Sequence, residues 1–295
     1  MMPGTERELE RLEALTPCGG TSEEVGKYYD GLDEIYRGQV TRDVHHGLWI
    51  RGDETRTEAK QNVALWVGDR LGLKPGERCV DIGCGYGDMA RHLSKAKRVS
   101  VTAVTNSARQ HALAVQEKRS EGVEYHLADW CTNDLPDAAY DAAWAVESLE
   151  HVLDLDAAFG QCRRVLRSGG RLLVLSWLAR ARVPSWERIV FLAPTARQFR
   201  LSPLRTEERM MQALSTAGFG YIRVSDLTRN VRRTWYPTAS GILQRLRLKA
   251  GAALEPGISW TILRTAGAYA VGALRYAAFS AVANGAADPG SRAAG

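Results

Sequence analysis

The middle of the chain alternates between short apolar runs and longer amphipathic segments. Five apolar runs, which begin near residues 78, 98, 123, 140 and 171, have the length and composition of buried strands. Amphipathic segments at residues 58–71, 88–96, 108–119 and 157–166 have the spacing of helices. Because strands that alternate with helices form parallel sheets, the pattern predicts an α/β fold.

A second aromatic and apolar pattern precedes this region. Residues 21–36 predict a helix on which Val25, Tyr28 and Tyr29 belong to one stripe with a spacing of three or four. The stripe fits either simple packing on the core or a lid that closes over a ligand.

The regular alternation ends after residue 177. Prolines interrupt residues 178–204, which predicts an inserted cap. Beyond it, residues 206–217 predict a helix, residues 218–226 a strand, and residues 238–284 a return to helix.

These elements together predict one fold class. We expect a Rossmann-like, seven-stranded, mainly parallel sheet with helices on both faces, an N-terminal helical lid and an inserted helical cap. The predicted boundaries are residues 1–20 for a mobile N-terminal segment, 21–284 for the domain, 21–60 for its lid, 178–217 and 228–284 for its cap, and 285–295 for a disordered tail.

A glycine-rich turn between the first predicted strand and a helix carries the clearest chemical signal. Residues 80–88 read Val-Asp-Ile-Gly-Cys-Gly-Tyr-Gly-Asp. Glycines at alternate positions leave no Cβ where the chain turns sharply and a ligand approaches the backbone. The spacing differs from the Gly-x-Gly-x-x-Gly of dinucleotide folds, whose third glycine clears a helix N-terminus for pyrophosphate. The turn therefore favours a sulfonium nucleoside over a dinucleotide or a purely structural role.

Polar residues follow three other predicted strands. Thr105 and Asn106 stand where many nucleotide folds place an acidic residue that holds ribose, so ribose contacts are expected from short polar groups or backbone. Asp129 and Trp130 suit adenine, because the carboxylate accepts from the exocyclic amine and the ring lies on the base. The fourth strand delivers Glu147 to the same edge, where ligands of open α/β sheets bind.

Composition limits the class of protein. The 295 residues are 45% hydrophobic, which is enough for a full core. Five cysteines without a Cys-x-x-Cys pair, and an N-terminus without a secretory apolar region, lead us to expect a reduced cytoplasmic protein. Arg264 and Arg275 interrupt the apolar region 260–283, so no membrane span is expected. The adjacent His45 and His46 point apart, so no metal site is expected; a homo-oligomer is left open.

Basic residues outnumber acidic ones between residues 180 and 249, within a net charge of +5. This excess fits either a solvated face or an anionic ligand. Nucleic acid is not expected, because no recognition motif accompanies the charge. A diphosphate would be bound bidentately by arginines, for which the candidates are Arg180, Arg182, Arg232 and Arg233. Mg²⁺ would accompany such a diphosphate, although no acidic pair demands it.

The glycine turn resembles the corresponding motif of class I S-adenosylmethionine (SAM)-dependent methyltransferases. Residues 145–151 and 46–49 are similar to stretches of small-molecule members such as sterol C-methyltransferases and sugar O-methyltransferases. The closest subgroup methylates isoprenoid carbon and includes geranyl diphosphate C-methyltransferases. Short matches at residues 233–235 and 272–279 are similar to tocopherol methyltransferases.

The resemblance implies SAM as cofactor and a small organic acceptor above strands four and five. It also implies a set of SAM-binding residues, which are Asp81, Gly83, Gly85, Thr105, Asn106, Gln110, Asp129 and Trp130.

The first interpretation of the function is carbon methylation of an isoprenoid alkene, such as a prenyl diphosphate, in specialised metabolism. The carbocation that forms needs aromatic faces or a carboxylate and then a base, for which Glu147 is the candidate, with His151 as the second catalytic candidate. The candidate acceptor-binding residues are Tyr28, Tyr29, His46, Trp49, Trp177, Arg180, Arg182, Arg232, Arg233 and Trp235.

The alternative is O- or N-methylation, or aromatic-ring C-methylation, of a neutral natural product. In that case Glu147 or His151 would act as general base on a hydroxyl. A non-catalytic SAM-binding protein is a third class, which the glycine motif combined with a strand-end carboxylate disfavours.

Overall fold

The computed structural model describes residues 20–36, 45–117, 122–237, 239–240 and 256–284, without the side chains of residues 32–36 and 256–258. The predicted mobile segment up to residue 19 and the predicted tail at residues 285–295 lie outside the described residues.

Seven strands form one sheet with the spatial order β3-β2-β1-β4-β5-β7-β6. The strands are β1 (Arg78–Ile82), β2 (Ser100–Thr105), β3 (Val123–Leu127), β4 (Tyr140–Val146), β5 (Leu166–Ala179), β6 (Phe219–Asp226) and β7 (Leu274–Ala283). Neighbours pair in parallel from β3 to β5, whereas β7 lies antiparallel to both β5 and β6. The predicted seven-stranded, mainly parallel sheet is therefore confirmed.

Helices cover both faces of the sheet. The described helices are α1 (Ser22–Tyr36), α2 (Arg56–Leu71), α3 (Asp88–Lys97), α4 (Ala108–Gln116), α5 (Leu155–Val165), α6 (Ser185–Glu187), α7 (Ala193–Gln198), α8 (Glu207–Thr216), α9 (Thr228–Val231) and α10 (Pro256–Ala270). One buried cluster packs α2, α3 and α10 on the sheet, and the other packs α5 and α8 on its opposite face. None of these helices is long and apolar enough to cross a membrane.

Helix α2 illustrates how local sequence sets an element. Thr55 Oγ1 accepts from Glu58 N at 3.2 Å, and the Glu58 carboxylate accepts from Thr55 N at 2.8 Å, so a capping box begins the helix. Gly72 ends it in the left-handed conformation at φ +58°, with its N–H directed at Asp69 O.

The prediction of helix throughout residues 238–284 is wrong at its end, where β7 forms. Gly272, at φ +72°, ends α10, and the chain then enters the sheet between β5 and β6. The strand is rich in alanine, including Ala277 and Ala278, which by propensity suggests helix. Because β7 is covered on both faces, it shows no simple alternation of polar and apolar residues, and pairing with two neighbours decides its conformation.

The segment after β5 forms the helical cap. Helix α6 continues through a π-helical turn, Arg188–Leu192, into α7, and the π-helical turn and α7 pack on α10. A Cβ on Gly267 of α10 would lie 2.7 Å from Phe191 Cε1, so glycine permits this close approach. Residues 167–170 also belong to β5, with a register shift against β4.

The order of the strands indicates at which edge of the sheet a ligand would bind. Strand β1 pairs with β2 on one side and with β4 on the other, so the chain reverses its direction of winding at β1. In open α/β sheets, ligands bind beyond the carboxyl ends of the strands at this reversal.

Candidate active site

A cavity of about 380 Å³ opens at the carboxyl ends of β1, β2 and β4, beneath helix α1. It has a cofactor half, formed by the ends of β1, β2 and β3, and an acceptor half, formed by the ends of β4 and β5 with segments from both ends of the described chain. Seven of the eight expected SAM-binding residues line it, and these are Gly83, Gly85, Thr105, Asn106, Gln110, Asp129 and Trp130.

The glycine turn shapes the floor of the cofactor half. Gly83 and Gly85 have φ values of +76° and +56°, a region that favours glycine. A Cβ on Gly83 would lie 2.3 Å from Ser148 Cβ, so packing excludes a side chain there. At Gly85 the nearest atom to a Cβ is the Gln110 amide nitrogen at 3.9 Å. The space above Gly85 is therefore open to a ligand.

Asp81, the eighth expected residue, does not line the cavity. It lies within β1 between Ala103 and Trp144 and is 3% exposed. Burial raises the pKa of Asp81 to about 7, and the neighbouring Trp144 indole lowers it. Its Oδ2 has no hydrogen-bond partner among the described residues. The structure therefore places Asp81 below the turn, not among the groups that a ligand in the cavity would meet.

The ends of β2 and β3 present polar groups to the cavity. The Thr105 hydroxyl lies 3.3 Å from Gln110 Oε1, and both side chains are buried. Asp129 accepts from Cys131 N at 2.9 Å, and the Trp130 indole donates to Ala158 O at 3.0 Å. These bonds fix both side chains against the cofactor half.

Helix α1 covers the cavity and is docked on the end of β2. Asn106 Nδ2 donates to Ser22 O at 2.9 Å, and Asp30 Oδ1 accepts from Ser107 Oγ at 2.6 Å and from Arg109 N at 3.1 Å. A carboxylate at the N-terminus of α4 is electrostatically favourable. A Cβ on Gly26 would lie 2.6 Å from Asn106 O, so the helix approaches closely at a glycine. The predicted lid helix thus binds Asn106, which was expected to hold the cofactor.

Glu147 is the centre of a buried network in the acceptor half. Its carboxylate accepts from His46 N at 2.8 Å, His46 Nδ1 at 2.9 Å, Trp177 Nε1 at 2.9 Å and the Tyr276 hydroxyl at 2.9 Å. Burial alone would raise the pKa of Glu147, but His46, His45 and Trp177 outweigh it and hold the pKa at about 2. Its φ of +51° is unusual for a residue with a side chain, and such strain is frequent at functional sites.

His46 links this network to the C-terminal part of the chain. The Trp235 indole donates to His46 Nε2 at 2.6 Å, because an indole N–H can only donate. His46 therefore carries its proton on Nδ1, which donates to Glu147. The neighbouring His45 directs Nδ1 at the His46 carbonyl. Within the described ranges, no group of three His, Cys, Asp or Glu residues could hold a metal ion.

His151 faces the cavity with one nitrogen bound to the lid. Its Nδ1 lies 3.1 Å from Arg200 O, so Nδ1 is the donor and Nε2 accepts from the Tyr29 hydroxyl at 2.8 Å. Burial lowers the pKa of His151, against the raising effects of the Arg200 carbonyl and Glu147. His151 is therefore a neutral imidazole whose lone pair points towards a hydroxyl.

Three aromatic rings form an apolar wall beside Glu147. Phe199 lies 5.7 Å from both Trp177 and Trp235, and those two rings lie 5.8 Å apart, measured between centroids. Trp177 and Trp235 were expected in the site, whereas Phe199 and Leu201 were not. The signal that could have found them is the proline-interrupted, aromatic cap segment that contains both.

Six residues predicted to bind the acceptor do not line the cavity, and one of them, His46, belongs to the Glu147 network. Trp49 donates from its indole to Glu54 O at 2.9 Å and packs in the core. Arg180 pairs with Glu187 at 2.8 Å, Arg233 donates to the Gly52 carbonyl, and Arg232 stacks over Tyr236. Arg182 is exposed. Among the described residues, the lining of the cavity contains neither arginine nor lysine.

Three features of the site fit one class of enzyme: a cavity where the winding of the sheet reverses, a glycine turn whose spacing differs from that of dinucleotide folds, and a neutral histidine that faces the acceptor half. The sequence pattern of a methyltransferase domain matches residues 80–174. The O-methyltransferase cnsE of Penicillium expansum is 34% identical over 77% of this chain and 83% of its own length. The chain belongs to the SAM-dependent methyltransferases.

One further relative agrees with this assignment, and one solved structure has the same fold. Methyltransferase GfsG of Streptomyces halstedii is 34% identical over 54% of this chain, and the match spans 59% of the length of that relative. Geranyl diphosphate C-methyltransferase from Streptomyces coelicolor A3(2) has the same fold, with a TM-score of 0.70 over 90% of this chain and 98% of its own, at 18% identity.

Proposed function

We propose that the protein transfers a methyl group from SAM to a hydroxyl of an uncharged natural product, with His151 as the general base. The observation that carries this proposal is the hydroxyl of Tyr29 at 2.8 Å from His151 Nε2. An acceptor hydroxyl in the position of the Tyr29 hydroxyl would have its proton within reach of the base. The name of the relative cnsE, an O-methyltransferase, supports the same reaction.

The cofactor half offers the contacts that SAM needs. We place the adenosine against Asp129 and Trp130 and the ribose near Thr105 and Gln110, as the resemblance implies. The methionine part would lie over the open face of Gly85, where a Cβ would have its nearest neighbour at 3.9 Å. Asn106 keeps a second role, because its amide already holds the lid helix.

The residues of this chain would then supply positioning and one proton transfer. SAM would supply an activated methyl group: the acceptor oxygen would bond to the methyl carbon as the carbon–sulfur bond breaks, and the sulfur would leave as a thioether. The hydroxyl proton moves to His151 Nε2. Closure of α1 excludes water, which favours in-line displacement. Glu147 is a poor base here, because four donors surround its carboxylate and the pKa is about 2.

Carbon methylation of a prenyl diphosphate is the second candidate. The wall of Trp177, Phe199 and Trp235 beside the Glu147 carboxylate would suit a carbocation. The arginines expected to hold the diphosphate point elsewhere, however, since Arg180 pairs with Glu187 and Arg233 with Gly52. Mg²⁺ would be needed only with a diphosphate acceptor, so a role for the metal depends on this second candidate.

The two candidates are separated by labelled SAM offered with aliphatic alcohols, phenols, prenyl diphosphates and free prenols, with products identified by mass spectrometry. For the accepted hydroxyl compound, His151→Ala should lower kcat by about 10²- to 10⁴-fold, the usual effect of losing a positioned base. SAM affinity, measured by calorimetry, should stay within about threefold because binding does not need the imidazole.

Tyr29→Phe is the matched control, since it removes a hydroxyl from the same contact but leaves the base. It should lose less than about tenfold in kcat. A C-methylated product, or a wild-type kcat in His151→Ala, would overturn the proposal.

A further inference from the structure

Glu150 is a buried carboxyl that the proposed reaction does not use. It directly precedes His151 in the short 3₁₀ turn Leu149–His151 and is 4% exposed. One carboxyl oxygen, Oε1, accepts from Trp177 N at 3.0 Å. The other, Oε2, has no hydrogen-bond partner among the described residues. The carboxyl therefore connects the turn that carries His151 to strand β5.

The backbone of Glu150 makes a second connection, to the loop at residues 200–205. Its carbonyl accepts from Ser202 N at 2.7 Å and from Ser202 Oγ at 2.6 Å. Arg205 strengthens this junction by donating to Ser202 Oγ and to the carbonyls of Val152 and Leu153, at 2.5 and 3.0 Å. Four hydrogen bonds thus join the loop to residues 150–153, and two of them end on the Glu150 carbonyl.

The same loop fixes the tautomer of His151. Arg200 presents its carbonyl to His151 Nδ1 at 3.1 Å, and this residue has a φ of +53°, which only a constrained loop maintains. If Arg200 O moved away, the imidazole proton would be free to shift to Nε2, and His151 would lose the lone pair that receives the acceptor proton. The position of the loop therefore bears on the base itself.

We propose that Glu150, as a neutral carboxylic acid, is a positioning residue that holds the turn, strand β5 and the 200–205 loop in the arrangement that keeps His151 a base. Ionisation of Glu150 places a second negative charge beside Glu147, loosens this junction and disables His151. This inference rests on the proposed function, in which His151 receives the acceptor proton.

The surroundings of Glu150 support a neutral acid. Burial raises its pKa to about 8, followed by the effect of the Glu147 carboxylate, against the lowering effect of the Trp177 N–H. The other titratable groups that face it are His151 on its own turn, Arg205 from the loop, Tyr269 from α10 and Tyr276 from β7.

The direction in which stability changes with pH follows from the pKa of Glu150, which is raised above the ordinary 4.5. The neutral form contributes stability that is fully present below about pH 4.5 and is lost as the pH rises through about 8. Activity should therefore fall on the alkaline side as Glu150 ionises. Arg205, the one cation of this group, is engaged with carbonyls and with Ser202.

The test is the pH dependence of kcat for the wild type, Glu150→Ala and Glu150→Gln, from about pH 6 to about pH 10 with saturating SAM. Glu150→Ala should lower kcat by about 10- to 100-fold, because the base is misplaced. Glu150→Gln, which cannot ionise and still offers an oxygen to Trp177 N, should recover most of that loss. Its profile should lack the alkaline fall that the wild type shows.

Two controls keep the result specific. Tyr29→Phe should retain the alkaline fall, which excludes the Tyr29 hydroxyl as its source. Histidine ¹⁵N spectra of the wild type should report protonation of His151 on Nδ1 at neutral pH and loss of that single tautomer above about pH 9, a change absent from Glu150→Gln.

An alkaline fall that persists unchanged in Glu150→Gln, or a kcat of Glu150→Gln as low as that of Glu150→Ala, would overturn the inference. Failure of the proposed function is distinguishable from this result. A C-methylated product, or full activity of His151→Ala, would refute O-methylation by His151, whereas the tautomer spectra test Glu150 without turnover.

Discussion

The two halves of the cavity are built in different ways. The cofactor half consists of turns and strand ends that each carry their residues within a few positions of sequence, such as Gly83 with Gly85 and Asp129 with Trp130. The acceptor half joins groups far apart along the chain: His46 and Trp235, which share a hydrogen bond, are separated by 189 residues. The first half depends on local backbone geometry, and the second depends on one shared buried network.

Two carboxyls of the acceptor half show what such a network does. Glu150 is buried and the Glu147 side chain is only 10% exposed, yet the pKa of Glu147 is held at about 2 and that of Glu150 is raised to about 8. Glu147 receives four hydrogen bonds on its carboxylate, whereas that of Glu150 receives one, from Trp177 N. Desolvation opposes ionisation in both, so the neighbours decide the charge state: His46, His45 and Trp177 favour the Glu147 carboxylate, whereas the charge on Glu147 opposes a second charge on Glu150.

The largest effect is expected from a side chain added to the cofactor half. In Gly85→Val, the new side chain would enter the open space above the turn, and SAM affinity should fall by at least about 10³-fold, or roughly 4 kcal/mol. Gly72→Val is the matched control, because Gly72 has nearly the same φ, +58° against +56°, and a Cβ there would meet nothing within 4 Å.

Both valine variants should lose about 1–2 kcal/mol of unfolding free energy, the cost of a side chain in the left-handed region. Calorimetric titration with SAM and thermal unfolding measure the two effects. Equal SAM affinity in both variants would show that the cofactor does not lie over Gly85.

The next effect tests the shared network. In Glu147→Gln, one orientation of the amide turns its NH₂ group towards His46 N–H and the Tyr276 hydroxyl, which can rotate to accept, and the other turns it towards His46 Nδ1–H and the Trp177 indole, so at least one N–H donor loses its acceptor. We expect a loss of roughly 1–3 kcal/mol of stability for each unsatisfied donor. The displaced Trp177 and His46 should lower kcat/KM by about 10²-fold, while calorimetric SAM affinity changes little.

Acid unfolding checks this explanation. Because the pKa of Glu147 is depressed from 4.5 to about 2, its contribution of the order of 3 kcal/mol is present above about pH 4.5 and is lost as the pH falls towards 2. The stability gap between wild type and Glu147→Gln, measured with denaturant, should narrow on acidification. A gap that stays constant down to about pH 2.5 would contradict a carboxylate held by its donors.

A smaller effect is expected at the lid, which spans both halves. Asp30→Asn keeps an acceptor for Ser107 Oγ and Arg109 N but removes the charge at the N-terminus of α4, worth about 0.3–1 kcal/mol. SAM affinity should fall about two- to fivefold, and hydrogen exchange over residues 21–31 should become faster. Glu23→Gln is the control, because Glu23 is exposed on the same helix and pairs with Lys27.

In the wild type, SAM should slow exchange over the same residues, since a lid orders when its ligand binds. Exchange that is equally slow with and without SAM would rule out a mobile lid.

The smallest effect is expected from arginines outside both halves. The double substitution Arg232→Ala and Arg233→Ala should change the KM of a hydroxyl acceptor by less than about threefold, because Arg233 binds Gly52 and Arg232 stacks on Tyr236. The KM and kcat for a prenyl diphosphate and for the free prenol are measured with the same double variant and with the wild type. A KM for the diphosphate that rises more than about tenfold would favour carbon methylation.

The sequence by itself determined the elements whose signals are local. The glycine turn, the alternation of strands and helices, and the strand-end pairs at Thr105 and Asp129 all depend on neighbours within a few positions. They predicted the fold class and, apart from Asp81, residues that line the cofactor half. These signals can be recognised in the sequence because backbone geometry and strand periodicity depend on residues that are close together along the chain.

The tertiary structure alone decided the acceptor half. Strand β7 is rich in small residues that suggest helix, and only its pairing with β5 and β6 makes it a strand and brings Tyr276 to Glu147. Folding also brings Phe199 to the ring of Trp177 and the Glu150 carboxyl to Trp177 N. Arginines 180 and 233 look like anion ligands in sequence but meet partners of their own in the fold. Charge state and partnership depend on desolvation and on donors from distant segments, and no local pattern encodes them.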